Sequence, residues 1–237
     1  MNQPLTSVRD LEMNFGGVVA VHGVSFKLKG GELLCIIGPN GAGKTTLINL
    51  LSGALRPLSG SILFEGREIM GLPLYKYARL GIVRKFQVPS IFQSMTPRDN
   101  LEVARLGGGR RDESPHTDEI LRLIGLASLA DSTIAGALAH GQKQWLEIGM
   151  ALMCQPKMII LDEPTAGMSR EETDKTVEIV LGMKGQRAVI VIEHDMRFVR
   201  ALDARTLVMH QGEVICEGRY SEIENNPRVR DIYLGRK

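Results

Sequence analysis

Residues 38–46, GPNGAGKTT, constrain this 237-residue chain more than any other stretch. They fit the pattern G-x-x-x-x-G-K-[ST], with Gly38, Gly43, Lys44 and Thr45 at the defining positions. The apolar run 33–37 before them predicts a buried strand, and 46–51 after them predicts the first turns of a helix. That strand–loop–helix context is what the pattern requires. Glycines let backbone N–H groups curl around phosphate oxygens, and the helix N-terminus adds its positive dipole end. Gly38, Pro39, Asn40, Gly41, Ala42 and Gly43 form the expected cradle. Lys44 is placed to reach the β- and γ-phosphates and the Thr45 hydroxyl to sit on Mg²⁺, with Thr46 completing the stretch. The pattern therefore predicts a site for a nucleoside triphosphate.

Composition narrows the setting. An apolar fraction of 43% is ample for a core, and a net charge of +2 makes no case for nucleic acid or a strongly anionic surface. No apolar run is long enough to span a bilayer, and the first fifteen residues lack the apolar centre of a signal peptide. Cys35, Cys154 and Cys216 are widely spaced in apolar runs, which predicts buried thiols in a reducing compartment rather than disulfides or a metal site.

Along the chain, strands are expected at 18–21, 24–28 and 61–65, and a short helix at 74–81. From about 89 to 155 strand signals vanish and helical patterns such as 118–124 take over. Alternation then returns, with strands at 158–161 and 188–192 and helices at 170–181 and 196–202. The pair 206–209 and 213–217 flanks His210-Gln211-Gly212, a hairpin signal. The reading is one α/β nucleotide-binding domain over 1–237, interrupted by a helical insertion over about 89–155 and closed by a short tail over about 221–237.

The strand expected at 158–161 runs into Asp162-Glu163-Pro164. An apolar strand ending in two carboxylates resembles a Walker B element, with Asp162 as a Mg²⁺ ligand and Glu163 polarising the attacking water. Between the two Walker elements lies Leu138-Ala139-His140-Gly141-Gln142, followed by KQWLEIGMALM. With these in correct order the chain resembles the ATPase subunit of an ATP-binding cassette (ABC) transporter, whose signature reads near LSGGQ.

The resemblance covers essentially the whole chain. It implies a P-loop NTPase core of ABC type with an antiparallel β subdomain and an inserted α-helical subdomain. It also implies roles for individual residues. Gln87 in RKFQVP matches the loop that joins core to helical insertion, acting in catalysis and at the metal. His194 in IEHDM matches the switch histidine, Phe15 in NFGG the aromatic that stacks on adenine, and residues 166–169 the D-loop. ATP and Mg²⁺ are the implied cofactors. Ala139, His140, Gly141 and Gln142 of one chain would close over ATP held by another, so the implied partner is a second ATPase subunit, the same chain or a paralogue. Permease subunits would span the membrane, a periplasmic binding protein would act indirectly, and this chain would sit peripherally on the cytoplasmic face. The chain departs from the family at Ala139, where serine is usual, and at His140, where glycine is usual. Trp145, the only tryptophan, reads as helix packing.

Within the family, ARLGIVRKFQ, TAGMSREET, IEHDM and NPRVRDIYLG resemble the branched-chain amino acid and urea uptake group. HGQKQWLEIGM and RKFQ look most like its urea or short-chain amide branch, which makes urea-type uptake the first expectation and branched-chain amino acid uptake the alternative. A soluble cassette of translation or DNA repair is disfavoured by the single cassette and the lack of heptads. A small P-loop kinase is disfavoured by LAHGQ and His194.

Overall fold

A computed structural model describes residues 3–85, 90–107 and 116–234, the last three by their backbone. Two sheets form its frame. The smaller is antiparallel, in the order β2 (Val18–Leu28), β1 (Thr6–Phe15), β4 (Ser59–Phe64), β5 (Arg67–Glu68). The larger has six strands in the order β10 (Glu213–Arg219), β9 (Arg205–His210), β3 (Leu33–Ile37), β8 (Ala188–Ile192), β7 (Met158–Asp162), β6 (Ile82–Lys85). Only the β9–β10 hairpin in it is antiparallel.

The strands β3, β7 and β8 are apolar throughout because both of their faces are covered. Successive side chains point to opposite faces. Leu34 and Ile36 join a core shared with the antiparallel sheet and with α1 (Lys44–Leu51). Leu33, Cys35 and Ile37 join a second core under the helices. That second core takes in α3 (Pro97–Gly107), α4 (Thr117–Leu123), α5 (His140–Met153), α6 (Arg170–Met183) and α7 (Met196–Leu202). The remaining helices are α2 (Leu74–Leu80), α8 (Tyr220–Ile223) and α9 (Pro227–Leu234).

Several expectations change. Strands expected separately at 18–21 and 24–28 are one strand, β2, because Gly23 at φ +60 absorbs an irregularity without ending the pairing to β1. The strand β6 was not legible: four residues mixing Ile82 and Val83 with Arg84 and Lys85 carry no alternation. Cys35 is buried as expected, while Cys154 and Cys216 are half-buried free thiols. Burial and the neighbouring Glu193 push the Cys35 thiol up to about 12, which makes it inert at neutral pH. Among the described residues no helix is long and apolar enough to cross a membrane.

Candidate active site

The strand order decides where the chemistry gathers. Strand β8 lies between β3 and β7, so three carboxyl ends rise side by side. In an open α/β sheet, that edge is where ligands bind. Strand β3 ends in the phosphate loop, β7 in Asp162 and Glu163, and β8 in the turn that carries Glu193 and His194.

The loop is shaped by close backbone approach. A Cβ on Gly43, at φ +96, would stand 2.1 Å from the Ala20 carbonyl oxygen. A Cβ on Gly38 would stand 2.3 Å from that of Met209. Only glycine fits either position. Lys44 opens α1 and turns back over the loop, donating from Nζ to the Gly38 carbonyl at 2.7 Å and to the Pro39 carbonyl at 3.0 Å. Burial pulls its ammonium below the usual lysine range, and the charges of Glu163 and Asp162 work against that. A cavity of about 300 Å³ opens beside it, lined by Val18–Ala20, Asn40–Thr46 and Glu163. A chain of oxygens from a triphosphate fits this lining, which combines the backbone of a glycine-rich loop with one ammonium.

Glu163 adopts φ +46, rare for a residue with a side chain, and its N–H donates to the Ile192 carbonyl at 2.9 Å. His194 Nδ1 lies 3.7 Å from Glu163 Oε1, with the His194 side chain 62% exposed. Asp162 is buried and accepts from Arg84 Nη2 at 3.0 Å, while Arg84 Nη1 also donates to Asn49 Oδ1 of α1. Glu193, also buried, accepts from the Thr165 N–H at 2.9 Å and from its hydroxyl at 2.6 Å. Its other oxygen accepts from the His194 N–H at 3.1 Å. Arg84, Asn49 and Glu193 were missed from sequence, since nothing in their spacing marks them. For Glu193, its place between a fully apolar strand and His194 was the one available signal.

The structure does not bring every expected residue together. Phe15 ends β1 opposite Val18 and is 47% exposed, at the rim of the cavity rather than in its wall. Residues 139–142 contribute nothing to that cavity. They stand at the start of α5, where the exposed His140 ring bonds to the Ala166 carbonyl at 3.1 Å and the Gly141 N–H donates to Glu172 Oε1 at 3.2 Å. Trp145 is buried in the core and donates from Nε1 to Thr176 Oγ1 at 2.9 Å. Gln87 lies outside the described residues.

A fold with this sheet order and these three carboxyl-end motifs defines a nucleotide-binding cassette, and comparison with known proteins agrees. The family described as "ABC transporter" matches residues 21–166, and one described as "Branched-chain amino acid ATP-binding cassette transporter" matches residues 213–237. The high-affinity branched-chain amino acid transport ATP-binding protein BraF of Pseudomonas aeruginosa is 37% identical over 254 aligned positions, covering 99% of each chain. Its counterpart LivG of Escherichia coli is 39% identical over the same length, again covering 99% of each. The crystal structure of the ADP conformation of an ABC transporter's ATP-binding cassette superposes with a TM-score of 0.86 at 32% identity, covering 99% of this chain and 100% of that one. The chain belongs to the ABC transporter ATPases, in the branched-chain amino acid group. It is an ATP-binding, ATP-hydrolysing subunit coupled to transport.

Proposed function

We propose that this chain powers the uptake of branched-chain amino acids through a membrane permease. It would sit peripherally on the cytoplasmic face, with a periplasmic binding protein supplying the solute. ATP would lie on the loop 38–46 of one cassette, with the adenine on Phe15 and the γ-phosphate under residues 139–142 of a second cassette, a copy of this chain or a paralogue. One observation carries this reading: Glu163 lines the same cavity as Lys44, Thr45 and Thr46, with His194 at 3.7 Å, whereas residues 139–142 lie outside it. One chain would therefore hold the phosphates and the carboxylate proposed to orient water, and leave the γ-phosphate to be covered by the second cassette.

The roles follow from chemistry. Lys44 would neutralise phosphate charge, Glu163 would orient the attacking water and take its proton, and His194 would contact the γ-phosphate. Thr45 and Asp162, with Gln87, would hold Mg²⁺. A hydroxyl and one carboxylate, completed by phosphate and water oxygens, is a donor set that suits this ion. When bound, the ion neutralises charge developing on the β- and γ-oxygens.

The branched-chain reading follows the relatives' activities; RKFQ and HGQKQWLEIGM favour the urea reading. Reconstituting the native complex in vesicles separates them. Leucine-loaded binding protein should stimulate hydrolysis, and urea should not. Stimulation by urea alone reverses the choice, and stimulation by neither removes both solutes.

A further inference from the structure

Two charged side chains are buried where the scheme above makes no use of them. Lys85 has no exposed side-chain surface and Glu147 has 10%, and Lys85 Nζ lies 3.4 Å from Glu147 Oε2. Glu147 Oε1 accepts from the Ser90 N–H at 3.3 Å. Lys85 is the last residue of β6, in register with Leu161 of β7, one position before Asp162. Glu147 sits in the middle of α5, the helix that begins with the signature. One carboxylate thus holds the residues on both sides of the stretch 86–89, which carries Gln87 in the sequence.

Burial pushes the Glu147 carboxyl up and the Lys85 ammonium down, each opposed by the charge of the other. Burying an ion pair is costly, and apolar residues of similar volume often serve stability as well or better. The pair therefore invites a role beyond stability.

We propose that Glu147 is a positioning residue, the pivot that fixes the signature helix to the sheet edge carrying Asp162 and Glu163. It thereby sets where residues 139–142 stand for the ATP site of the second cassette, and so rests on the two-cassette reading above. From Glu147 back to His140 is seven residues of α5, about 10 Å of helix. A tilt of about 10° at Glu147 displaces the helix start by about 2 Å, enough to lose a hydrogen bond to phosphate.

The test compares the parent chain with Glu147→Gln and with the apolar pair Lys85→Met/Glu147→Leu. Glu147→Gln keeps the shape and an acceptor for Ser90 but removes the charge. Thermal unfolding, ATP affinity, and hydrolysis against chain concentration are measured for each. Both variants should fold and bind ATP, Glu147→Gln with a lowered unfolding temperature because the buried Lys85 loses its partner, yet each should reach half-maximal hydrolysis at about tenfold higher chain concentration, the worth of one weakened hydrogen bond to phosphate. A merely structural lesion lowers the active fraction and leaves that concentration unchanged, and such a result overturns the proposal. Loss of folding in both variants overturns it too, because the pair is then a stability element. If the parent itself shows no concentration dependence, the two-cassette reading fails instead. Amide exchange over residues 139–144 then decides the pivot: faster exchange in Glu147→Gln supports it, and unchanged exchange overturns it.

Discussion

His194 Nδ1 stands 3.7 Å from Glu163 Oε1, and both residues leave adjacent parallel strands at the same edge of the sheet. The pairing puts a carboxylate and an imidazole together at the mouth of the phosphate cavity. Glu163→Gln keeps the shape of that arrangement and removes its carboxylate. ATP binding should persist, hydrolysis should slow by orders of magnitude, and an ATP-bound pair of cassettes should accumulate on size exclusion. Near-normal turnover in this variant would remove Glu163 from the reaction.

Lys44 is the one cation on the cavity wall among the described residues, and its ammonium is already drawn over the Gly38 and Pro39 carbonyls. Lys44→Ala removes a charge-assisted contact with phosphate worth about 1.5–3 kcal/mol. Nucleotide titration should show affinity reduced at least about tenfold, the lower end of that range. Unchanged affinity would place the phosphates elsewhere.

Phe15 is 47% exposed at the cavity rim, so it is available for stacking and is not core filler. Base–aromatic stacking contributes about 1–3 kcal/mol in single-stranded nucleic-acid complexes, the nearest analogue. Phe15→Ala should weaken ATP binding by that amount, while Phe15→Tyr and Phe15→Trp should retain it. Equal affinities in all three, with folding intact, would leave the ring without a role in binding.

The signature departs from its family at two neighbouring positions, and the structure separates them. Ala139 caps α5 with no side-chain hydrogen bond, so its position lacks a donor. His140 already bonds through Nε2 to the Ala166 carbonyl of its own chain at 3.1 Å. Ala139→Ser, in the Glu163→Gln background, should tighten the ATP-bound pair by about tenfold, the low end of a hydrogen bond to a charged group. An unchanged pair affinity in Ala139→Ser, together with its loss in His140→Gly, would hand the phosphate contact to the histidine.

Much of this was legible in the order of residues along the chain. Residues 38–46 declare their loop because glycine spacing, lysine and an apolar strand must all be local to work. Likewise 188–192 and 196–202 come out with the expected bounds, the strand because it is buried on both faces and the helix because Asp195 caps it, accepting from Arg197 N–H at 2.8 Å. Strand β6 escaped because its polar residues face specific buried partners, Asp162 and Glu147, which lie 78 and 62 positions away in the chain.

Local pattern set the phosphate loop and the paired carboxylates, since each depends on contacts within one strand–loop–helix unit, and the order of such motifs along the chain set the family to which it belongs. Only the tertiary structure decided that β8 slips between β3 and β7, because strand order depends on how the helices pack on one face of the sheet and the antiparallel sheet with α1 on the other. That order brings His194 to Glu163, Arg84 to Asp162 and Glu193 beneath Thr165. It also leaves residues 139–142 outside the cavity, because α5 is held by Lys85, Ala166 and Glu172 on other elements. These are partnerships between distant residues, settled by burial and charge pairing, and no spacing along the chain encodes them.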